Sequence, residues 1–187
     1  MQRYFIDAKN IEGSYIHIDS YNHKHMQRVM RYRSGDQVIC ILPDQHVYIY
    51  EIVNIDKGIL RQKEELLENN ELDVQVTLIY GLPKNDKFEW VLQKATELGV
   101  TRIVPFLSKR SIIKTDPKTF DKKRERYLRI LKEASEQSCR QKIPELTSLI
   151  TLSHLQDYVS DINLVAYEEE SRQGEHQTFA KALQKDY

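Results

Sequence analysis

The chain has 187 residues, with 28 Lys/Arg balanced by 28 Asp/Glu, 40% hydrophobic residues, six glycines and five prolines. That length suits one large domain or two small ones with a real core, and the composition excludes a largely disordered chain. The longest apolar runs, such as residues 38–42, are too short to cross a bilayer, and the first residues lack the apolar stretch of a signal peptide, so a cytosolic protein is expected.

The first seventy residues read as β-rich. Short apolar or alternating runs lie at 4–6, 15–18 and 38–42. Residues 46–55 alternate, with Val47, Ile49, Glu51 and Val53 on one face and Tyr48, Tyr50, Ile52 and Asn54 on the other. Turn residues at 12–14, 34–36, 43–44 and 56–58 separate the runs, which predicts a small antiparallel sheet or barrel. One helix interrupts it, at about 23–32, with Met26, Val29 and Met30 on its apolar side and Arg28 and Arg31 on other faces. The polar stretch 64–73 reads as a linker, dividing a first domain at 1–70 from a second at 74–187.

Beyond the linker the period changes. Residues 74–80 form a β-rich run broken by Gly81-Leu82-Pro83. Asp86 caps a helix carrying Phe88, Val91, Leu92, Ala95 and Leu98, and Gly99 ends it. A second strand is expected at 102–107, a long amphipathic helix at about 117–138, a third strand at 162–167 and a further helix from 178. Strand, helix, strand, helix, strand predicts a parallel sheet with helices packed on it.

Several chemistries find no support. The glycines never form GxGxxG or a Walker loop, and no Gly-x-Ser-x-Gly elbow marks a hydrolase. His17, His23 and His25 lie near one another but lack the further ligands of a closed site, so no metal is expected. Glu168, Glu169 and Glu170 read as a solvated loop. Cys40 and Cys139 are too few and too distant for a disulfide framework and read as reduced thiols, Cys40 in the core.

The zero net charge conceals an uneven distribution. Residues 22–33 hold Lys24, Arg28, Arg31 and Arg33 with no acid, and residues 109–140 hold eleven Lys/Arg against five Asp/Glu. Residues 51–73 and 145–187 are acidic. Two basic segments on an otherwise acidic chain are able to form a phosphate-binding face, and the competing reading is that they are solvated helix surfaces. If they act together, Arg28 and Arg31 should converge with Arg110 and Arg140 on a shared groove.

Two stretches are more distinctive. One is KFEWVLQKATELGV at 87–100, followed by Pro105 and by Ser108, Lys109, Arg110 and Ser111. The other is EASEQSCR at 133–140, followed by Ile143-Pro144. They place Lys94, Glu97, Arg110, Glu136, Gln137 and Arg140 at the ends of helices and strands, and ligand sites in open α/β sheets gather at strand carboxyl ends. The structural alternatives are an i,i+3 surface pair for Lys94 and Glu97 and a helix-carbonyl role for Arg140.

These stretches resemble the RsmE-type methyltransferases of bacteria, members of the knotted SPOUT superfamily. QKATELGV matches at Gln93–Val100 with Pro105 and Ser108–Ser111, and the EAxEQS-x-R-x-x-IP pattern matches at Glu133–Pro144. The H-x-x-x-VLR-x-x-x-GD pattern matches at His25, Val29-Met30-Arg31 and Gly35-Asp36, with Met in place of Leu. The resemblance covers essentially the whole chain.

It implies an α+β, PUA-like RNA-binding barrel followed by an α/β SPOUT-type knotted domain. It implies S-adenosyl-L-methionine as cofactor and methylation of uridine N3 in the 16S rRNA of the 30S ribosomal subunit, near the decoding centre. It also implies a homodimer joined through the knot domains. The family's GPEGG-like and TETA-like C-terminal motifs are absent. The cofactor pocket is therefore expected in a missing segment, and these residues alone are expected to be inactive, which leaves a non-catalytic RNA-binding module as the alternative. Under this resemblance Arg110 and Arg140 are candidates to stabilise the uridine anion, and Glu136 is a candidate base. His25, Arg28 and Arg31 are candidates to grip rRNA, with Lys24 and Arg33 adding charge. Reversing Arg110 or Arg140 to Glu is expected to abolish methylation with little loss of folding.

Overall fold

The computed structural model describes residues 1–83, 87–108 and 115–166. Its larger unit is Met1–Ile150, and a second unit starts at Thr151.

The N-terminal half is built on six strands: β1 (Arg3–Phe5), β2 (Ile11–Glu12), β3 (Tyr15–His17), β4 (Gln37–Ile41), β5 (Val47–Asn54) and β6 (Ile59–Leu66). They form one sheet in the order β1-β4-β5-β6-β3-β2. Every pair is antiparallel except β1 with β4, so the sheet is mixed, and β1 and β2 form its edges. Register shifts between Ile49 and Tyr50 and between Ile52 and Asn54 bend β5. The bend and twist curl the sheet round one core of Tyr4, Ile6, Ile16, Met26, Val38, Cys40, Tyr50, Ile52 and Leu60, drawn from strands far apart in the sheet order. The alternation read along β5 holds: Tyr50 and Ile52 enter this core, and Val47 joins Ile39 and Ile41 in a second cluster.

The predicted helix at 23–32 starts earlier and ends differently. Asp19 caps it, accepting from Tyr21 N (2.9 Å) and Asn22 N (3.0 Å), and helix α1 (Ser20–Lys24) passes into a π turn at His25–Val29. The 3.6-residue spacing does not hold through such a turn. Of the three expected apolar residues only Met26 is buried; Val29 and Met30 are exposed. The predicted linker is shorter than expected, because β6 runs on to Leu66.

The second half follows strand–helix–strand order. Strands β7 (Thr77–Gly81), β8 (Arg102–Phe106) and β9 (Glu145–Leu146) are all parallel, in that order. Helix α2 (Lys87–Glu97) connects the first two, and helices α3 (Pro117–Asp121) and α4 (Arg124–Gln137) connect the second and third. Phe88 and Leu92 of α2, Phe120 of α3 and Tyr127 and Leu131 of α4 pack with Ile103 and Leu146, so the helices share a core with the sheet. The three aromatic rings lie 5.3–6.0 Å apart at tilted or edge-on angles.

Three expectations need correction here. The long helix at 117–138 is two helices, α3 and α4, and no Gly or Pro marks the break. The third strand is β9 rather than 162–167; residues 162–166 carry no regular structure, and Tyr167 lies outside the described residues. β9 is two residues long, too short for a periodic signal. Asp86, Glu168–Glu170 and the helix predicted from 178 also lie outside the described residues. In the second unit, the described structure is a 3-10 segment at Leu152–Tyr158.

Candidate catalytic edge and nucleic-acid interface

The parallel strands β7, β8 and β9 leave their carboxyl ends at one edge of the sheet, where open α/β folds collect ligands. There Leu82 N donates to Phe106 O (3.0 Å), Leu107 N to Ile150 O (2.8 Å) and Ile150 N to Pro105 O (2.9 Å). These bonds extend the ladder past the strand ends and hold the three exits side by side. The edge carries Leu82, Leu107, Ser108 and Ile150. A Cβ added at Gly81 would meet no atom of the described residues within 4 Å. Arg110 follows β8 in sequence but lies outside the described residues.

Arg140 lies at the other edge. Cys139 ends α4 with a left-handed φ of +60°, and Arg140 N donates to Ser135 O (2.9 Å). The guanidinium Nη1 donates to Thr96 O (3.2 Å) and Val100 O (2.6 Å), where the chain leaves α2 to enter β8, and Nη2 donates to Glu71 Oε2 (2.6 Å). Five-residue β8, roughly 16 Å long at strand rise, separates this point from Leu107. With 2% of its surface exposed, Arg140 has no face left for a phosphate or a base, so its expected substrate contact is corrected to that of an internal brace. Burial pushes the Glu71 carboxyl up, but Arg140 and the N–H groups of Gln141 and Lys142 outweigh this and hold it below the ordinary value.

Glu136 is also buried. Its Oε1 accepts from Lys132 Nζ (2.7 Å) and from the backbone N of Phe5 in β1 (3.2 Å). Burial raises its pKa despite Lys132. A raised carboxyl is what a base needs, but this one faces the edge of β1, away from the open ends of the parallel strands. The expectation of a catalytic base is corrected accordingly. Lys94 and Glu97 form the i,i+3 surface pair that was their structural alternative, at 2.7 Å.

Residues that sequence reasoning missed join the two sheets. Arg3 of β1 forks onto Glu68 in the connecting segment, with Nη2 to Oε2 at 3.0 Å. Tyr21 donates from its hydroxyl to Glu133 of α4 (2.8 Å), and Lys132 Nζ donates to Asn22 Oδ1 (3.2 Å). No local spacing announces these pairs, because the partners lie 65 to 112 residues apart.

The candidate RNA-binding residues of the N-terminal half lie together on the α1 turn. Lys24, Arg28, Arg31 and Arg33 are exposed, and none makes an ion pair with a described residue. His25 is half-buried, with Nδ1 3.0 Å from the hydroxyl of the buried Tyr4. Arg28 and Arg31 do not converge with Arg140, whose charge is internal. The α4 cations beside α1 are instead Arg129 and Lys132, 5.4 and 5.9 Å from the centre of the Tyr21 ring. The three neighbouring histidines take separate partners: His17 pairs with Glu12 (3.3 Å), His23 with the carbonyl of Ile55, and His25 with Tyr4.

The chain matches the RNA methyltransferase domain family over residues 70–186 and the RNA methyltransferase PUA domain family over residues 22–62. It is 40% identical to ribosomal RNA small subunit methyltransferase E of Bacillus subtilis (strain 168), over 96% of this chain and 73% of that protein. The chain belongs to the ribosomal RNA small subunit methyltransferase E family. The curled sheet is thus the PUA-like domain of this family, and the parallel sheet belongs to its methyltransferase domain. A methyltransferase from Legionella pneumophila in complex with the bound cofactor SAM superposes with a TM-score of 0.79 at 25% identity, covering 89% of this chain and 70% of that one. Ribosomal RNA small subunit methyltransferase E from Neisseria gonorrhoeae, bound to S-adenosyl methionine, shares the fold with a TM-score of 0.76 at 24% identity, over 86% and 67% of the two chains. Among the described residues, no helix is long and apolar enough to cross a membrane.

Proposed function

We propose that the chain acts in S-adenosyl-L-methionine-dependent methylation of uridine N3 in 16S rRNA, giving 3-methyluridine in the small ribosomal subunit. The observation that carries this reading is the match to RNA methyltransferase and PUA families on a chain whose PUA-like half presents four exposed cations with no ion pair among the described residues. In this reading residues 1–70 are the RNA-gripping domain and residues 74–187 belong to a knotted SPOUT-type domain that pairs in a homodimer in the cytoplasm.

The carboxyl edge of the parallel sheet fits the adenosine part of the cofactor. Leu82 and Leu107 pack on the core of this half at that edge, and the backbone of Gly81 has room for close approach among the described residues, so the rest of the pocket is assigned to the family's C-terminal segment. When bound, the cofactor supplies an electrophilic methyl group on a sulfonium. Uridine N3 carries a proton that water removes only above neutral pH, so the protein's part is to favour the anion. Arg110, next in the chain after β8 and its exit, is assigned to stabilise negative charge spread over O2, N3 and O4. Lys24, Arg28 and Arg31 hold phosphates of the rRNA while the target base is turned out of its stack.

The test incubates the protein with a labelled methyl donor and either 30S particles or free 16S rRNA, and then identifies the modified nucleoside. Labelled 3-methyluridine supports the reading. Label on another nucleoside overturns it, and no label with either substrate favours the non-catalytic RNA-binding module instead.

A further inference from the structure

Val29 and Met30 are the least expected surface of the N-terminal domain. The π turn at His25–Val29 closes with Met30 N donating to His25 O (3.0 Å), and Arg31 follows with a φ of +55°. π turns and left-handed non-glycine residues are unfavourable locally and collect at functional sites. Here the surroundings hold the conformation in place. Tyr32 N donates to Met26 O (3.0 Å), Arg33 N to Asp36 Oδ2 (2.7 Å) and Ile52 N to Asp36 O (2.8 Å). Met26 is fully buried, whereas Val29 is 65% and Met30 38% exposed.

Lys24, Arg28, Arg31 and Arg33, all exposed, flank this apolar pair in sequence. Asp36, the nearest acid that follows them in sequence, has an oxygen engaged by the backbone of Arg33. Two facts need one explanation: exposed apolar side chains, and cations with no ion pair among the described residues, within ten residues of chain. A protein partner would cover the first, and any polyanion would answer the second. An RNA strand with an unstacked base answers both, because its charged backbone alternates with flat apolar faces. Apolar side chains wedge against bases in known nucleic-acid complexes, and the thioether of methionine adapts to such a face.

We infer that Val29 and Met30 form a wedge that contacts an unstacked base of single-stranded or looped RNA, between phosphate contacts made by Arg28 and Arg31. The inference rests on the proposed RNA-binding role of this domain and adds to it the contact that reads a base. The held turn makes the wedge ready before RNA arrives, so little ordering entropy is lost on binding.

The experiment titrates the full chain with a 16S rRNA transcript and with inorganic polyphosphate, a polyanion that has no bases, between about 50 and 200 mM salt. The double variant Val29→Ser/Met30→Ser is expected to bind the transcript about fivefold or more weakly, with an unchanged salt slope and unchanged polyphosphate binding. Arg28→Gln and Arg31→Asn are each expected to weaken both probes and to lower the slope by about 0.7; Asn tolerates the left-handed backbone at that position. Wild-type transcript affinity in the double variant would overturn the wedge, while losses in the arginine variants would leave the RNA-binding reading standing. Equal losses on both probes in the double variant would overturn it too, by exposing a structural effect. A wild-type chain that binds no transcript would remove both readings together.

Discussion

Arg140 and Glu71 form a forked, buried pair across the segment that connects the two sheets, with Nη2 2.6 Å from one carboxylate oxygen and Nε 3.4 Å from the other. Three residues earlier Glu68 receives Arg3 in the same way, and Gln141 Nε2 donates to Glu68 O (2.6 Å). Each half thus contributes one arginine to the short connection, Arg3 from β1 and Arg140 from the turn after α4. The connection is a clamp, and the two halves of Met1–Ile150 are held in one orientation by it.

Removing Arg140 should therefore unfold the protein before it silences it. Arg140→Leu leaves Glu71 buried without a counter-charge and the carbonyls of Thr96 and Val100 without a donor. Loss of one partner of a buried pair is expected to cost about 3–5 kcal/mol. Arg140→Glu should be worse, which corrects the sequence-based expectation of lost activity with intact folding. Urea denaturation decides the matter, and a wild-type midpoint in Arg140→Leu would refute the brace.

Two carboxylates should tilt the pH dependence of stability in opposite directions. Burial raises the Glu136 pKa, so its contribution is fully present below the ordinary 4.5 and is lost as pH rises through the higher folded value. Glu71 is held low by Arg140, so its contribution is present above 4.5 and is lost as pH falls through its folded value. Thermal midpoints across this range should show Glu136→Gln losing the decline on the upper side while keeping the acid-side loss. Parallel curves for variant and wild type would contradict the assignment.

Gly99 and Gly81 should respond oppositely to alanine. Gly99 sits at φ +95°, and a Cβ there would come within 2.7 Å of the Leu72 side chain, so Gly99→Ala is expected to cost about 1–2 kcal/mol or more. Gly81→Ala meets no atom of the described residues within 4 Å and should leave stability near wild type, while weakening cofactor binding under the proposed role of this edge. Chemical denaturation and a cofactor titration read the two effects separately. A destabilised Gly81→Ala with normal cofactor affinity would count against this edge.

The two thiols should differ sharply in reactivity. Cys40 is fully buried and burial pushes its pKa up, whereas Cys139 is half-exposed at the end of α4. A thiol-exchange reagent should label one cysteine quickly in the native protein and the second only on unfolding. Fast labelling of Cys139→Ser would show that the PUA-like core opens.

Period-2 alternation along β5 was legible because the strand is long enough to repeat its pattern; along α2 the 3.6-residue spacing found Phe88, Leu92 and Ala95, but Leu98, past the helix end, is exposed. β9 has two residues and repeats nothing. The break between α3 and α4 carries no breaker residue. Arg140 was read from its type and its helix-end position, yet its role depends on Glu71, 69 residues earlier, and no local pattern carries that information. The basic turn was legible as charge. Its exposed Val29 and Met30 were not, because a π turn looks like ordinary helix in sequence.

The bond from Phe5 N to Glu136 closes the outer side of an edge strand with a carboxylate 131 residues further along the chain. During synthesis β1 emerges early, and its parallel partner β4 follows about thirty residues later. Its open flank then stays uncovered until α4 has left the ribosome. The PUA-like domain is therefore finished only after a long stretch of its neighbour has been translated, and nascent chains stalled before Glu136 carry a bare strand edge, the kind of surface on which newly made proteins aggregate.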